Sequence, residues 1–187
     1  ENKTGIQAVG GQKIQANPLG ERYSIEYDHA GNPNLVVINE DIFKGHEGEK
    51  PHKVIRDYLR NHIGEYATII ESGQKVYFGK DLPGEYTQSK ATKQLKPNTL
   101  LAKNQASQNL DELIEISTKR RWERAKHAEK HKEDAKYGFY KYTTRFKIGD
   151  QIYDADILIR NAADEKKYLY DVINIKKETA AQRGEKT

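Results

Sequence analysis

The chain has 187 residues, of which 35% are hydrophobic and 32% charged, and its formal net charge at neutral pH is +4. It has no cysteine, which excludes disulfide bonds and thiolate metal sites, and no apolar run long enough to span a membrane. The 12 tyrosines argue against general disorder, because disordered chains are poor in aromatic residues. We therefore expect a polar folded domain.

The first part of the chain predicts a tail, two hairpins and a helix. Residues 1–20 are rich in Gly, Asn and Gln without a period, so we expect a flexible tail or linker. The segments RYSIEY and LVVINEDIF flank a turn-rich spacer and predict a hairpin. The segment GEKPHKVIRDYLRNHIG predicts a helix, with Pro51 in its first turn and Gly64 at its end. The segments ATIIES and KVYFG predict a second hairpin.

The middle of the chain predicts mainly helix and a concentration of positive charge. The segment DLPGEYTQSKATKQLKP predicts a polar loop or a short helix. A helical period then runs from NTLL, at residues 98–101, to EKH, at residues 129–131, and Asn109 is a candidate helix cap within it. The segment from Thr118 to Lys136 contains eight Lys and Arg residues and four acids, so its net charge is +4. Such a segment is typical of a phosphate-binding surface and also of a solvated helix face.

The last third predicts a sheet. FYKYTTRFKI, QIYDADILIR and KYLYDVINI are separated by short spacers, which favour an antiparallel meander, and residues 178–187 should form a frayed tail. The whole pattern predicts an α+β fold, with helices packed on one face of a small antiparallel sheet.

Strand alternation places polar side chains on the second face of this sheet. One interpretation is cross-strand ion pairing on a solvent face. The other is a polar concavity in which Lys and Arg bind phosphate. The residues of this face are Lys141, Thr143, Arg145, Asp154, Asp156 and Arg160.

His127 and His131 have the spacing of a helical zinc motif, but the residue after the first is Ala128 rather than Glu, and no third ligand is evident. His131 is instead a candidate general acid or base, or an ordinary surface histidine. The sequence has no phosphate-binding glycine loop and no nucleophile elbow. Metal-independent RNA cleavage fits the residue types that remain, since it needs only a base, an acid and cations.

Four segments stand out together with a basic linker that contains His131: EYTQSK (85–90), NLDELIEIST (109–118), YDADILIR (153–160) and KYLYDVINIKK (167–177). They resemble a domain found in phage and mobile-element polyproteins, and NLVVINEDIFKG and VIRDYLRNHIG resemble its N-terminal lead-in. This family is assigned to the barnase/EndoU/colicin/RelE-like nuclease fold, and it occurs in large polyvalent proteins and as C-terminal toxin modules of phage MuF-type proteins. The resemblance covers roughly residues 34–177.

The resemblance implies a division of the chain and a helical part packed on a four- or five-stranded antiparallel sheet. The expected units are a flexible tail at 1–20, a hairpin-helix-hairpin lead-in at 21–83, a nuclease-like core at 84–177 and a disordered tail at 178–187.

The resulting expectation is a ribonuclease toxin domain that cleaves RNA through 2′-OH attack, leaving a 2′,3′-cyclic phosphate, without metal or cofactor. The candidate catalytic residues are His131, Lys90, Arg145 and Tyr142. The candidate substrate-binding residues are Thr87, Ser89, Lys141, Thr143, Asp156 and Arg160.

The resemblance also implies action in the bacterial cytoplasm, after delivery from a phage particle or as part of a larger polypeptide, with a cognate immunity protein as partner. Two alternatives stay open. One is a non-catalytic nucleic-acid-binding or virion accessory module, and the other is a protein-interaction scaffold in which the YKYTTR strand pairs with a partner.

Overall fold

The computed structural model describes residues 6–9, 12–15, 22–46, 48–123, 138–179 and 181–182. Within them the strands are β1 (Ile6–Val9), β2 (Gln12–Gln15), β3 (Tyr23–Tyr27), β4 (Pro33–Ile38), β5 (Tyr66–Thr68), β6 (Lys75–Phe78), β7 (Thr118–Glu123), β8 (Phe139–Ile148), β9 (Gln151–Asn161) and β10 (Lys167–Lys177). The helices are α1 (Pro51–Arg60), α2 (Leu82–Gln88), α3 (Lys90–Lys93), α4 (Pro97–Ala106) and α5 (Leu110–Glu115), with a 3₁₀ turn at Ser107–Asn109.

Eight of these strands form one sheet, in the order β3-β4-β8-β9-β10-β6-β5, and β7 pairs with β8 outside this path. The β4–β8 and β6–β10 pairs are parallel, whereas the other pairs are antiparallel. The predicted mixture of helices and strands is confirmed. The sheet is larger than the small antiparallel sheet that we expected, because the N-terminal hairpins join it through the two parallel pairs.

The predicted meander of β8, β9 and β10 forms the middle of the sheet. Strands β8 and β9 pair without interruption from Phe139↔Arg160 to Ile148↔Gln151, across a turn in which Gly149 has a positive φ of 59°. That conformation is readily available to glycine, which has no Cβ. The hairpins β3–β4 and β5–β6 and the helix α1 are likewise confirmed.

The main apolar core lies on one face of this meander, and Phe139, Leu158 and Tyr170 form a smaller buried cluster apart from it. The hydroxyl of Thr144 donates to the Leu113 carbonyl at 2.8 Å and so ties β8 to α5. The alternation predicted from the sequence is confirmed, because the residues of the predicted apolar face are buried in the main core. They include Tyr142, Phe146, Tyr153, Ala155, Ile157 and Ile159.

The helix predicted to continue past residue 117 is wrong over Thr118–Glu123, which is strand β7. Its register with β8 includes Arg121↔Lys141 and Trp122↔Tyr140, with an irregularity near Lys119, whose φ is 61°. β4 pairs with β8 only at Phe146–Ile148, so β7 supplies backbone partners along the other half of that edge. This pairing outweighs the modest helix propensity of the charged residues.

The segments expected to be tails contain ordered elements. β1 and β2 form a separate antiparallel hairpin inside residues 1–20. Glu178, in the expected C-terminal tail, is buried and its backbone N–H donates to the Ile152 carbonyl at 2.8 Å. Over the part of the chain that the structure describes, no helix combines the length and apolar character that crossing a membrane requires.

Candidate functional site

A groove of about 640 Å³ lies between α2, α3 and the β10 strand. β6 pairs with β10 only at Tyr168 and Leu169, so the groove runs beside the later part of β10. We call it the β10 groove. Its walls are Glu85, Ser89, Lys90, Ala91, Gln94, Leu95, Lys103, Lys141, Leu158 and residues 170–175. A cavity of about 50 Å³ beside α5 is much smaller and suits water rather than a nucleotide.

A buried ion pair lies in the wall of the β10 groove. Lys103 on α4 is 1% exposed and Asp171 on β10 is 3% exposed, and Lys103 Nζ lies 2.7 Å from Asp171 Oδ1. The ammonium also donates to Thr92 Oγ1 at 2.6 Å and lies 4.7 Å from the centre of the Tyr86 ring. These contacts offset part of the cost of removing the ammonium from water.

Ser89 connects this pair to the groove. Its Oγ lies 2.9 Å from Thr92 Oγ1 and 3.4 Å from Asp171 Oδ2. It also accepts from the Thr92 backbone N–H at 3.1 Å, so it caps the start of α3. Ser89 is only half-buried and lines the groove, so a bound molecule can reach its hydroxyl.

Burial shifts the pKa values of both members of the pair. It raises the pKa of Asp171 to about 6, although the Lys103 ammonium acts in the opposite direction. It also lowers the pKa of Lys103, and the charge of Asp171 counteracts this. A carboxyl group with a pKa near 6 exchanges its proton close to neutral pH, which suits acid–base chemistry.

The two segments that carried most of the sequence resemblance meet at this site. Ser89 belongs to EYTQSK, and Asp171 belongs to KYLYDVINIKK. Neither Lys103 nor Asp171 was predicted as a site residue. The sequence does contain one signal for Asp171, which is an aspartate inside an apolar strand segment. A charge buried there needs a partner of opposite charge, so the position could have been singled out.

The structure brings three of the predicted residues together in the β10 groove: Ser89, Lys90 and Lys141. Lys90 is exposed on α3, and Lys141 is half-buried on the second face of β8. Thr87 is not part of this set, because it is buried and its hydroxyl donates to the Pro83 carbonyl at 2.7 Å within α2.

Thr143 and Asp156 are held by Arg121, a residue that the sequence did not single out. The Arg121 guanidinium donates to Thr143 Oγ1 and to Asp156 Oδ1, both at 2.8 Å. Asn174, which also lines the β10 groove, donates to Asp156 Oδ2 at 2.8 Å. This part of the second sheet face matches the ion-pairing interpretation.

Arg145 and Tyr142 do not line the β10 groove. Arg145 is buried, and its guanidinium donates twice to the Glu178 carboxylate, at 2.7 and 3.1 Å. Tyr142 is buried in the main core, where its hydroxyl lies 3.3 Å from Ser72 Oγ. These contacts favour structural roles over contact with a substrate for both residues.

The remaining predicted residues lie elsewhere. Arg160 is half-buried, with its guanidinium 5.5 Å from the centre of the Tyr168 ring and 3.9 Å from Asp81. His131 lies outside the described residues, as does His127. Among the residues that the structure does describe, no three His, Asp or Glu side chains are placed to hold a metal ion.

No protein-family model, no curated protein and no solved structure matches this chain. In the β10 groove, the exposed Lys90 and the half-buried Lys141 suit an anionic ligand, and the Ser89–Asp171 contact supplies a route for a proton.

Proposed function

We propose that this protein is a metal-independent ribonuclease domain with its active site in the β10 groove. The observation that carries the proposal is the presence of Ser89, Lys90 and Lys141 in one groove with the buried Lys103–Asp171 pair. The groove volume of about 640 Å³ is within the range of small-ligand sites, so it has room for a nucleotide unit.

The proposed reaction is attack of the ribose 2′-oxygen on the neighbouring phosphorus, with cleavage of the bond to the 5′-oxygen. Ser89 Oγ takes the proton of the 2′-OH while its own proton passes to Asp171. Lys90 and Lys141 stabilise the additional negative charge on the phosphate oxygens. The departing 5′-oxygen takes a proton, for which His131, outside the described residues, is the candidate donor, so the products are a 2′,3′-cyclic phosphate and a 5′-hydroxyl end.

The proposal includes a relationship to the barnase/EndoU/colicin/RelE-like nucleases, with helices on one face of an antiparallel sheet. The β8–β9–β10 meander and the contact of Thr144 with α5 support it. In that setting the domain acts on RNA in the bacterial cytoplasm, delivered by a phage particle or within a larger polypeptide. The same relationship implies a cognate immunity protein as partner, acidic where it covers Lys90 and Lys141.

The direct test is incubation of the purified protein with total RNA in EDTA, followed by analysis of the fragment ends. We expect fragments with 2′,3′-cyclic phosphate ends. Lys90→Ala and Lys141→Ala should each lower the rate by roughly tenfold or more, the value of one charge-assisted contact. Lys93→Ala is the matched control, because Lys93 is exposed on the same helix but does not line the groove.

Ser89 needs a variant that preserves the cap of α3. Ser89→Asn removes the hydroxyl but keeps a side chain that can cap α3, whereas Ser89→Ala removes both the hydroxyl and the cap. We expect both variants to lose cleavage, and Ser89→Asn to retain the stability of the parent protein. Cleavage at the parental rate by Lys90→Ala, Lys141→Ala and Ser89→Asn would exclude the β10 groove as the active site.

A second candidate function is a nucleic-acid-binding module without catalysis. The observation that favours it is the burial of Asp171, which is 3% exposed and already paired with Lys103. In this case labelled RNA binds with an affinity that falls steeply with salt, and no fragments appear.

A further inference from the structure

Three tyrosines form a row across the strands at the other end of the sheet. Tyr66 on β5 is opposite Tyr77 on β6, and Tyr77 is opposite Tyr168 on β10. Their ring centres are 5.5 Å apart for the first pair and 6.1 Å apart for the second. Direct partners on neighbouring strands share a face, so the three rings lie on one side of the sheet. We call them the tyrosine row.

The row lies on the side of the sheet that faces away from the main core. The residues that alternate with it, Val76 and Phe78 on β6 and Ala67 on β5, are buried in that core. Tyr66 is 45% exposed, and the other two rings are half-buried. Three large aromatic rings therefore lie together on the face that points away from the core, where strand alternation often places polar residues.

Each ring of the row has a cation beside it. Lys75 Nζ lies 5.0 Å from the centre of Tyr66, and Lys166 Nζ lies 4.9 Å from the centre of Tyr77. The Arg160 guanidinium lies 5.5 Å from the centre of Tyr168. Acids also lie nearby. Asp164 accepts from the Tyr168 hydroxyl at 2.7 Å and from the Lys166 backbone N–H at 2.9 Å, and Asp81 lies 3.9 Å from the Arg160 guanidinium. Glu165 lines the same depression as Lys75, Tyr77 and Lys166. Aromatic faces with interleaved cations suit a flexible polyanion with aromatic bases.

We propose that the tyrosine row is a binding surface for single-stranded nucleic acid. Bases stack on Tyr66, Tyr77 and Tyr168, while Lys75, Lys166 and Arg160 contact the phosphates. An ammonium beside an exposed ring is held weakly, and its flexible stem lets it move to a phosphate when a base takes the ring face. The ring spacing exceeds the rise of about 3.4 Å per base in a duplex, so the bases must be splayed apart.

This surface is separate from the β10 groove. None of its six residues lines the groove, although Tyr168 lies on the same strand. Binding here does not depend on cleavage, and a DNA strand, which lacks the 2′-OH, tests it without the reaction proposed for the groove. Either proposal can therefore fail without affecting the other.

The test is fluorescence anisotropy with labelled 12-nucleotide strands, oligo(U) and oligo(dT), and with a 12-base-pair DNA duplex. We expect the single strands to bind with salt-dependent affinity and the duplex to bind more weakly. Tyr66→Ala and Tyr77→Ala should each weaken binding roughly 5-fold or more, as loss of one stacked base predicts. Tyr77→Phe should keep the parental affinity, because the ring remains.

Two further variants control for damage to the fold. Tyr27→Ala removes a tyrosine that is also 45% exposed but lies on β3, and it should bind as the parent does. Lys75→Gln combined with Lys166→Gln leaves the rings in place and should reduce the salt dependence. Oligo(U) can also bind in the β10 groove, so the tyrosine row is judged by the binding of oligo(dT).

The proposal is overturned if oligo(dT) does not bind, or if the duplex binds as tightly as the single strands. It is also overturned if Tyr66→Ala, Tyr77→Ala and the double lysine variant all bind as the parent does. A tyrosine row that binds no nucleic acid would then be assigned to docking of a protein partner.

Discussion

Three carboxyl side chains crowd the short helix α5, and two of them have strongly raised pKa values. Burial raises the pKa of Glu115 to about 9, and the nearby Glu112 and Asp111 add to this. Burial also raises the pKa of Glu112 to about 7, although a hydrogen bond from Asn109 opposes it. The folded protein therefore holds protons on α5 at pH values where the unfolded chain releases them.

The pH dependence follows from the direction of the Glu115 shift. Between its ordinary pKa of 4.5 and about 9, the folded state binds more protons than the unfolded state, so the stability falls as the pH rises through this range. Glu115→Gln removes this loss. Because one pKa unit corresponds to about 1.4 kcal/mol, the variant should gain at least about 1 kcal/mol at pH 8 and little at pH 4.5.

Urea unfolding of the parent and of Glu115→Gln from pH 4.5 to pH 9 measures this difference. Glu26→Gln is a suitable control, because Glu26 is exposed on β3. Parallel stability curves for the parent and Glu115→Gln would contradict the raised pKa of Glu115.

At the level of single residues, the sequence predicted exposed cations better than buried pairs. Lys90 and Lys141 could be proposed because a lysine in a polar loop or on a polar strand face is accessible in most folds. The Lys103–Asp171 pair joins residues 68 positions apart, and no local pattern indicates which helix packs beside Asp171. Strand alternation places Arg145 on the same face as Lys141, but Arg145 is buried, and its partner Glu178 lies in a segment that we expected to be a tail.

At the level of elements, the Arg145–Glu178 pair joins β8 to the chain that follows β10. The guanidinium also donates to the Asn34 carbonyl on β4 at 3.2 Å, and its Nε lies 3.9 Å from the Asp154 carboxylate on β9. Both partners are buried, and the Glu178 carboxylate receives two hydrogen bonds. Such bidentate geometry is typical of the stronger arginine–carboxylate pairs.

Breaking this buried pair from either side should be costly, because it leaves an uncompensated charge. We expect Arg145→Met and Glu178→Gln each to lower the free energy of unfolding by about 3–5 kcal/mol. The double variant should lose much less than the sum, because it removes both charges of the buried pair, and Asp154, which lies 3.9 Å from Arg145, is partly exposed to water. Arg60→Ala breaks the exposed pair with Asp57 and should cost at most about 1 kcal/mol.

Urea unfolding at constant pH measures all four variants. If Arg145→Met is as stable as Arg60→Ala but abolishes RNA cleavage, Arg145 acts on a substrate rather than on the fold.

The helix predicted over Thr118–Glu123 is wrong because the structure of this segment depends on its pairing with β8. The segment TKRRWE has no strong preference of its own, and its charged residues continue the pattern of the preceding helices. What makes it a strand is the neighbouring part of β8, whose backbone groups need partners. That requirement is a property of the assembled sheet, so the segment alone does not contain it.

At the level of the whole molecule, the sheet is assembled from local hairpins and two parallel junctions. β4 joins β8 through Val36–Ile38 and Phe146–Ile148, and β6 joins β10 through two residue pairs. The hairpins were predictable because a turn and its strands are neighbours in sequence. The parallel junctions connect segments about 90 to 110 residues apart, and only tertiary packing specifies such contacts.

This arrangement predicts a gradient of local stability across the sheet. β9 pairs with β8 on one side and with β10 on the other along most of its length, and many of its side chains are buried. β3 and β5 are the two ends of the strand order, and β5 has three residues. Amide hydrogens of β9 should therefore exchange only through global unfolding, whereas those of β3 and β5 exchange through local opening.

Hydrogen exchange followed by mass spectrometry or NMR at low denaturant concentrations tests this gradient. The exchange free energies of β9 should fall with denaturant as steeply as the global unfolding free energy, and those of β3 and β5 should be smaller and nearly independent of denaturant. Arg145→Met provides an internal check, because it should lower protection in β9 by the same amount as global stability. Protection of β3 equal to that of β9 would mean that the parallel β4–β8 junction makes the N-terminal hairpin part of one cooperative unit with the meander.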